Sequence, residues 1–251
     1  MINSKGSMDG TRLMQRPVDH LPPGFAVRQL ADTGVSVIDN FCTSEEAAHI
    51  IAKAEPLLLR SMIVKGTERV KDDYRTSSTA SVYDPNQKDP MILPLLHRGA
   101  MLLGLPYSNV ETVFVTRYQA GEYYKGHEDF FPGFHGDRLY TILIYLNDLE
   151  PDQGGNTTFE RLGISVRPKL GRAVSWTNRN PDGTGHPETR HEAMPVAEGA
   201  VKWAIQLWYR RYELIGPVKS QKPPQPFDMH GRVDDSIQLP PGVSRIDGGA
   251  E

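Results

Sequence analysis

Two tripeptides place an imidazole one residue from a carboxylate: His127-Glu128-Asp129 and His135-Gly136-Asp137. Imidazole nitrogen and carboxylate oxygen together suit a divalent transition metal. The chain has eight histidines, so the spacing alone discriminates little and the surrounding residues must decide. The first triplet lies in the aromatic-rich stretch Glu122–Phe131, which reads as extended chain. On a strand, residues two apart point the same way, so His127 and Asp129 would sit side by side. The second triplet follows Pro132-Gly133 and reads as a solvated turn. A third donor must come from further along. His186 lies in a loop composition, whereas His191 leads into Ala193-Met194-Pro195-Val196, a strand start that would hold it more rigidly. Two histidines and one carboxylate on one octahedral face leave three positions open, the arrangement of non-haem iron(II) oxygenases. A structural zinc site would be closed by four ligands. The lone cysteine, Cys42, excludes a thiolate zinc cluster and an intramolecular disulfide.

A second feature lies in the apolar run Val201–Tyr209. One parity carries Val201, Trp203, Ile205, Leu207 and Tyr209, a core face. The other carries Lys202, Ala204, Gln206 and Trp208. A lysine deep on such a face requires an anion, which a dicarboxylate cosubstrate would supply.

The elements that must hold these residues are mostly short strands. Val35–Asp39 reads as a strand. A helix starts at Thr43, where Thr43 and Glu46 have capping-box spacing. It carries Ala47, Ile50, Ile51 and Ala54 on one face and stops at Pro56. A second helix follows Asp89-Pro90, carries Leu95, Leu96, Met101 and Leu103, and ends at Gly104 and Pro106. Between them, the polar stretch from Gly66 to Gln87 reads as a long mobile loop with short strands. Further strands are expected at Val110–Tyr118, Glu122–Phe131, Tyr140–Leu146, Ile164–Arg167, Arg172–Thr177 and Val201–Tyr209, separated by Gly/Pro turns. The expected class is α+β, mainly β: a jelly roll with the N-terminal helices packed on one outer face. Residues 1–26 read as an arm, 27–215 as the domain and 216–251 as a Pro-rich tail.

Composition narrows the function. With 251 residues, 38% hydrophobic and 24% charged, the chain can bury one sizeable core. A formal net charge of −3 argues against wholesale capture of nucleic acid. The N-terminal Met1-Ile2-Asn3-Ser4-Lys5-Gly6 lacks the apolar run of a signal peptide, and no stretch is long enough to span a membrane. A cytoplasmic protein without nucleic-acid or membrane partners is expected.

The ordered motifs carry a resemblance. Arg117–Asp129 resembles the metal strand of the prolyl 4-hydroxylase family of 2-oxoglutarate- and iron(II)-dependent oxygenases. Arg138–Asp148 looks like its central strand, and Gly154-Gly155-Asn156-Thr157-Thr158-Phe159 matches its Gly-Gly-x-Thr-x-Phe turn. Pro168-Lys169-Leu170-Gly171 resembles its Pro-Lys-x-Gly segment. Arg190–Val196 followed by Gly199 and Lys202-Trp203 resembles its distal histidine and lysine. Upstream, Asp39-Asn40-Phe41 and Arg75-Thr76-Ser77-Ser78 also fit. The resemblance implies a double-stranded β-helix in which His127, Asp129 and His191 bind Fe(II). It implies that Lys202 pairs with the far carboxylate of the 2-oxoglutarate cosubstrate, with Tyr118 and Thr157 as hydroxyl partners. It places Arg75, Tyr124 and Trp208 on the peptide-substrate side, under a mobile loop at Gly66–Gln87. O2 would be the oxidant and L-ascorbate the auxiliary reductant. The expected activity is hydroxylation of a prolyl residue in a peptide or protein, with release of succinate and CO2. The alternatives are the same chemistry on a free amino acid or small natural product, and a non-catalytic jelly-roll binding module, which the complete ligand set disfavours. A nucleic-acid demethylase of the same superfamily is disfavoured by the acidic charge and by a lysine anchor where those enzymes use arginine.

Overall fold

The computed structural model describes residues 21–30, 33–65, 68–82, 89–130, 138–180 and 182–211. The second triplet, His135-Gly136-Asp137, and the Pro-rich tail lie outside the described residues, as does the arm up to residue 20. In chain order the elements are β1 (Ala26–Gln29), β2 (Val35–Asp39), α1 (Ser44–Ala54), β3 (Leu59–Arg60), β4 (Ile63–Lys65), β5 (Glu68–Val70) and β6 (Ser78–Val82), then α2 (Leu93–Leu103), β7 (Val113–Tyr118), β8 (Tyr124–His127) and β9 (Arg138–Tyr145). They continue with β10 (Thr157–Phe159), β11 (Ile164–Val166), β12 (Ala173–Thr177), β13 (His191–Ala193) and β14 (Lys202–Arg210).

The strands form an eight-stranded sheet of order β1-β2-β12-β9-β14-β7-β6-β3, a four-stranded sheet of order β11-β10-β13-β8, and a β4-β5 ribbon. This mainly β architecture with few helices is that of a jelly roll. Alternation along each strand of the large sheet splits the core in two. One parity sends Ala80, Val82, Val113, Val115, Ile142, Ile144, Ile205, Leu207 and Tyr209 into a cluster with Ala47, Ile50 and Ala54 of α1 and Leu95 and Leu96 of α2. The opposite parity packs Val35, Val37, Leu143, Tyr145, Val174, Trp176 and Ala204 against Phe159 and Val166 of the smaller sheet. The face that carries Lys202 therefore looks between the sheets.

Local chemistry fixes the helix ends. Thr43 Oγ1 accepts from the Glu46 amide at 3.2 Å, and Glu46 Oε2 accepts from the Thr43 amide at 2.9 Å, closing the capping box. The same buried Glu46 meets Arg98 of α2 at 2.5 Å, and Arg98 also donates to the Phe41 carbonyl at 2.7 Å. Gly104 ends α2 with φ 64°, a left-handed turn. No described helix is long and apolar enough to cross a membrane.

Two expectations need correction. The strand read at Glu122–Phe131 is confined to Tyr124–His127, and Asp129 lies in a bend beyond it. Of the short strands expected within the polar stretch Gly66–Gln87, β6 is not a loop strand but pairs with β7 inside the large sheet, because Ala80 and Val82 alternate inward although their neighbours are polar. Residues 66–67 and 83–88 of that stretch are not among those described.

Candidate metal centre

Pairing of two strands of the small sheet makes the site. His127 on β8 and His191 on β13 are direct cross-strand partners, with ring centroids 4.3 Å apart. Each ring is aimed by its own backbone. His127 Nδ1 lies 2.9 Å from the Lys125 carbonyl and His191 Nδ1 lies 3.0 Å from the Thr189 carbonyl. A carbonyl only accepts, so both Nδ1 atoms carry the proton and both Nε2 lone pairs are left for a metal. Asp129 reaches the pair from the bend rather than along the strand, and its Oδ1 lies 3.9 Å from His127 Nε2. Its Oδ2 accepts from Thr141 Oγ1 at 2.6 Å, and Thr141 Oγ1 in turn accepts from Asn178 Nδ2 at 3.0 Å. This relay holds the bend to β9 and fixes which oxygen faces the histidines. Ligand atoms of the three residues all lie within 4.8 Å of one another.

Charge states match the geometry. Burial pushes both imidazoles below their usual range, and the neighbouring His191 adds to the effect on His127. Burial would raise Asp129, but the charges of His191, His127 and Arg138 and the Thr141 hydroxyl outweigh it and hold the carboxyl at about 2. At neutral pH the site offers two neutral imidazoles and a carboxylate, the forms that bind a divalent cation. No fourth His, Cys, Asp or Glu donor joins them among the described residues. The set fits iron(II) with three open positions. His186, the other downstream candidate, is not in this group, and its Nδ1 is buried without a partner.

Lys202 lies on the wall of the same narrow cavity, 1% exposed. Its Nζ donates to the Gly155 carbonyl at 2.6 Å and sits 5.1 Å from the Tyr118 ring centroid, yet it makes no ion pair among the described residues. Burial pulls its ammonium down to about 7. Gly155, whose carbonyl holds the lysine, needs to be glycine: it has φ +69°, and a Cβ there would meet Leu149 at 2.6 Å. Thr157 and Tyr118 line the cavity too, and the buried Thr157 hydroxyl, near the Tyr145 phenol, has no partner at good hydrogen-bond geometry. An unneutralised buried cation beside an unsatisfied hydroxyl is the pattern of a site for an anion with oxygen acceptors.

Arg75, Tyr124 and Trp208 line this cavity and also the open groove of about 610 Å³ that continues from it past His127 and Asp129. Tyr124 stacks on His127 at 3.6 Å, with the Arg75 guanidinium 4.6 Å from the Tyr124 centroid. Arg75 donates to the hydroxyls of Ser77, Thr79 and Thr116, and Thr116 donates to Gln206 at 2.9 Å. Trp208 is held by the Arg138 guanidinium 3.7 Å from its ring, and Arg138 is itself paired with Glu111 at 2.6 Å.

Several residues at the site escape sequence reasoning. Thr141, Asn178, Glu111 and Arg138 act through long-range hydrogen bonds that leave no periodic signal. Tyr74 is another. Its phenol donates to the Gly126 carbonyl beside His127 and accepts from Arg190 Nη2, beside His191, at 3.2 Å. The chain before β6 is thereby fastened to both ligand strands.

The fold and donor set together are those of a double-stranded β-helix with an open three-ligand metal site. The family model of the 2OG-Fe(II) oxygenase superfamily matches residues 113–210. The mouse prolyl 4-hydroxylase subunit alpha-3 is 33% identical over 190 residues, covering 71% of this chain and 34% of that one. Prolyl 4-hydroxylase 5 of Arabidopsis thaliana is 29% identical over 201 residues, covering 70% and 68%. The chain thus spans about a third of the animal subunit and about two thirds of the plant enzyme. Among solved structures, the viral collagen prolyl hydroxylase from Paramecium bursaria Chlorella virus-1, in its 2OG complex, superposes with a TM-score of 0.57 at 25% identity over 70% of this chain and 96% of that one. A Pseudomonas putida prolyl-4-hydroxylase shares the fold with a TM-score of 0.53 at 21% identity, covering 79% and 99%. The family-model match and the prolyl 4-hydroxylase relatives make the chain similar to the 2-oxoglutarate- and iron(II)-dependent prolyl hydroxylases over this region.

Proposed function

We propose that the chain is a 2-oxoglutarate- and Fe(II)-dependent dioxygenase that hydroxylates a prolyl residue in a peptide or protein, releasing succinate and CO2. One observation carries the reading: the His127, Asp129 and His191 donors share a cavity with Lys202, a buried cation without a carboxylate. Iron(II), when bound, supplies the oxidation by activating dioxygen at the expense of the cosubstrate. The chain's own residues orient the reactants and exclude water. Lys202 holds the far carboxylate of 2-oxoglutarate through a charge-assisted hydrogen bond, and that charge returns the ammonium to its protonated form. The Thr157 hydroxyl supplies a further donor to the same carboxylate, and Tyr118 walls the cavity beside Lys202. Tyr124 and Trp208 offer flat faces to the prolyl ring. The groove beside Trp208 is open, which favours a peptide over a free amino acid. L-ascorbate serves as auxiliary reductant. The single cysteine, buried and unpaired, suits a reducing, cytoplasmic setting.

Incubation with Fe(II), 2-oxoglutarate, ascorbate and a proline-containing peptide set should give succinate and a product heavier by one oxygen atom. His127→Ala and Asp129→Ala should abolish both signals, and near-normal turnover in either variant would sink the assignment. Lys202→Ala should raise the 2-oxoglutarate requirement far more than the iron requirement.

A further inference from the structure

We propose that the open groove selects a peptide with a bulky apolar residue and an acidic residue close to its target proline; this rests on the proposed hydroxylation of a prolyl peptide. Six large hydrophobics are exposed among the described residues, and four of them, Leu57, Leu59, Met62 and Val64, line this one groove. Leu59 is 74% exposed. Scattered exposed leucines are ordinary, but a row of them along a groove continuous with a metal site is a docking surface. Their exposure has a topological cause. β3 is a two-residue edge strand paired only with β6, and the β4-β5 ribbon joins no other strand among the described residues. Among the described residues no further layer covers this wall.

The charge of the groove runs against that of the chain, whose formal net charge is −3. Arg60, Arg69 and Arg75 line it, and none of the three makes an ion pair among the described residues. Arg60 donates to the carbonyls of Arg75 and Ser77, and Arg75 donates to hydroxyls. Apart from the ligand Asp129, Glu128 is the one carboxylate on the described lining. Arg69 is the direct cross-strand partner of Val64, so a cation and an apolar side chain leave the ribbon on the same face. A peptide carboxylate there gains the forked geometry of arginine, while an adjacent apolar side chain covers Leu59 and Met62. A neutral Pro-Gly repeat offers neither group.

The test uses four proline peptides of equal length, flanked by Leu and Asp, Leu and Lys, Gly and Asp, or Gly alone. Anisotropy of the labelled peptides on protein loaded with manganese(II) and 2-oxoglutarate reads binding without turnover, so the groove and the reaction are judged separately. The Leu/Asp peptide should bind about tenfold tighter than the Leu/Lys and Gly-only peptides, the scale of a complementary charge and a covered apolar residue. Arg69→Glu should invert the order of the Asp and Lys peptides. Leu59→Ser should weaken the Leu peptides and leave the Gly peptides unchanged. Equal affinities across the four peptides, or tightest binding of the Gly-only peptide, would overturn the inference while leaving prolyl hydroxylation standing. Selective binding with no hydroxylated product from any peptide would instead count against the proposed reaction.

Discussion

At the scale of single residues, the Asp129 carboxylate has two oxygens with different duties. One faces the histidines; the other is occupied by Thr141, which is occupied by Asn178. Thr141→Val keeps the side-chain shape and removes the donor. Metal titration should then show affinity lowered by about 10–100-fold, the usual weight of a hydrogen bond behind a metal ligand. An affinity within about twofold of the parent would mean that the bend holds Asp129 unaided. The relay also marks a limit of sequence reading. His127, Asp129 and His191 stand out because their types and context are unusual, and Lys202 because it interrupts an apolar alternation. Thr141 is an ordinary threonine in an apolar strand, and only the register of β9 against β12 and β14 gives it a role. Strand alternation does not bring Asp129 beside His127: the strand ends at His127, and the bend delivers the carboxylate.

At the scale of elements, the two helices were readable from capping and periodicity, and the long strands from alternation. The three-residue β10 is not among the expected strands, and the strand start expected at Ala193–Val196 is displaced: β13 is His191–Ala193, so His191 sits within the strand and not ahead of it. The link from Tyr74 to Gly126 spans 52 residues and is invisible in the sequence. Tyr74→Phe keeps the edge-on packing against Tyr124 and deletes the phenolic hydroxyl that bonds Gly126 and Arg190. Loss of two hydrogen bonds should raise the KM for a peptide by roughly tenfold and accelerate amide exchange in residues 71–77, with kcat less affected. Unchanged exchange in that segment would count against a fastening role.

At the scale of the whole molecule, the site costs stability. Lys202 has an ordinary value of 10.5 in the unfolded chain and about 7 in the fold. Between those values the unfolded chain binds more protons, so the contribution of Lys202 to stability rises with pH from about 7 towards 10.5. Below about 7 the cost is present in full. Lys202→Met should therefore raise the melting temperature at pH 7 by roughly 2–4 °C or more, with the gain shrinking as the pH approaches 10. A gain that grows with pH, or none at pH 7, would contradict the buried-cation reading. A second whole-molecule consequence lies in the strand order. β8 is the outer strand of the four-stranded sheet, and the chain at Tyr74 and Arg75 lies along its open side, bridging Arg75 to Tyr124 and accepting the Lys125 amide at 3.0 Å. A bare strand edge is a template for another chain. The segment that borders the groove thus also guards the sheet against self-association, so any movement that admits a substrate by lifting it leaves the protein, for that interval, open to sticking to its own copies.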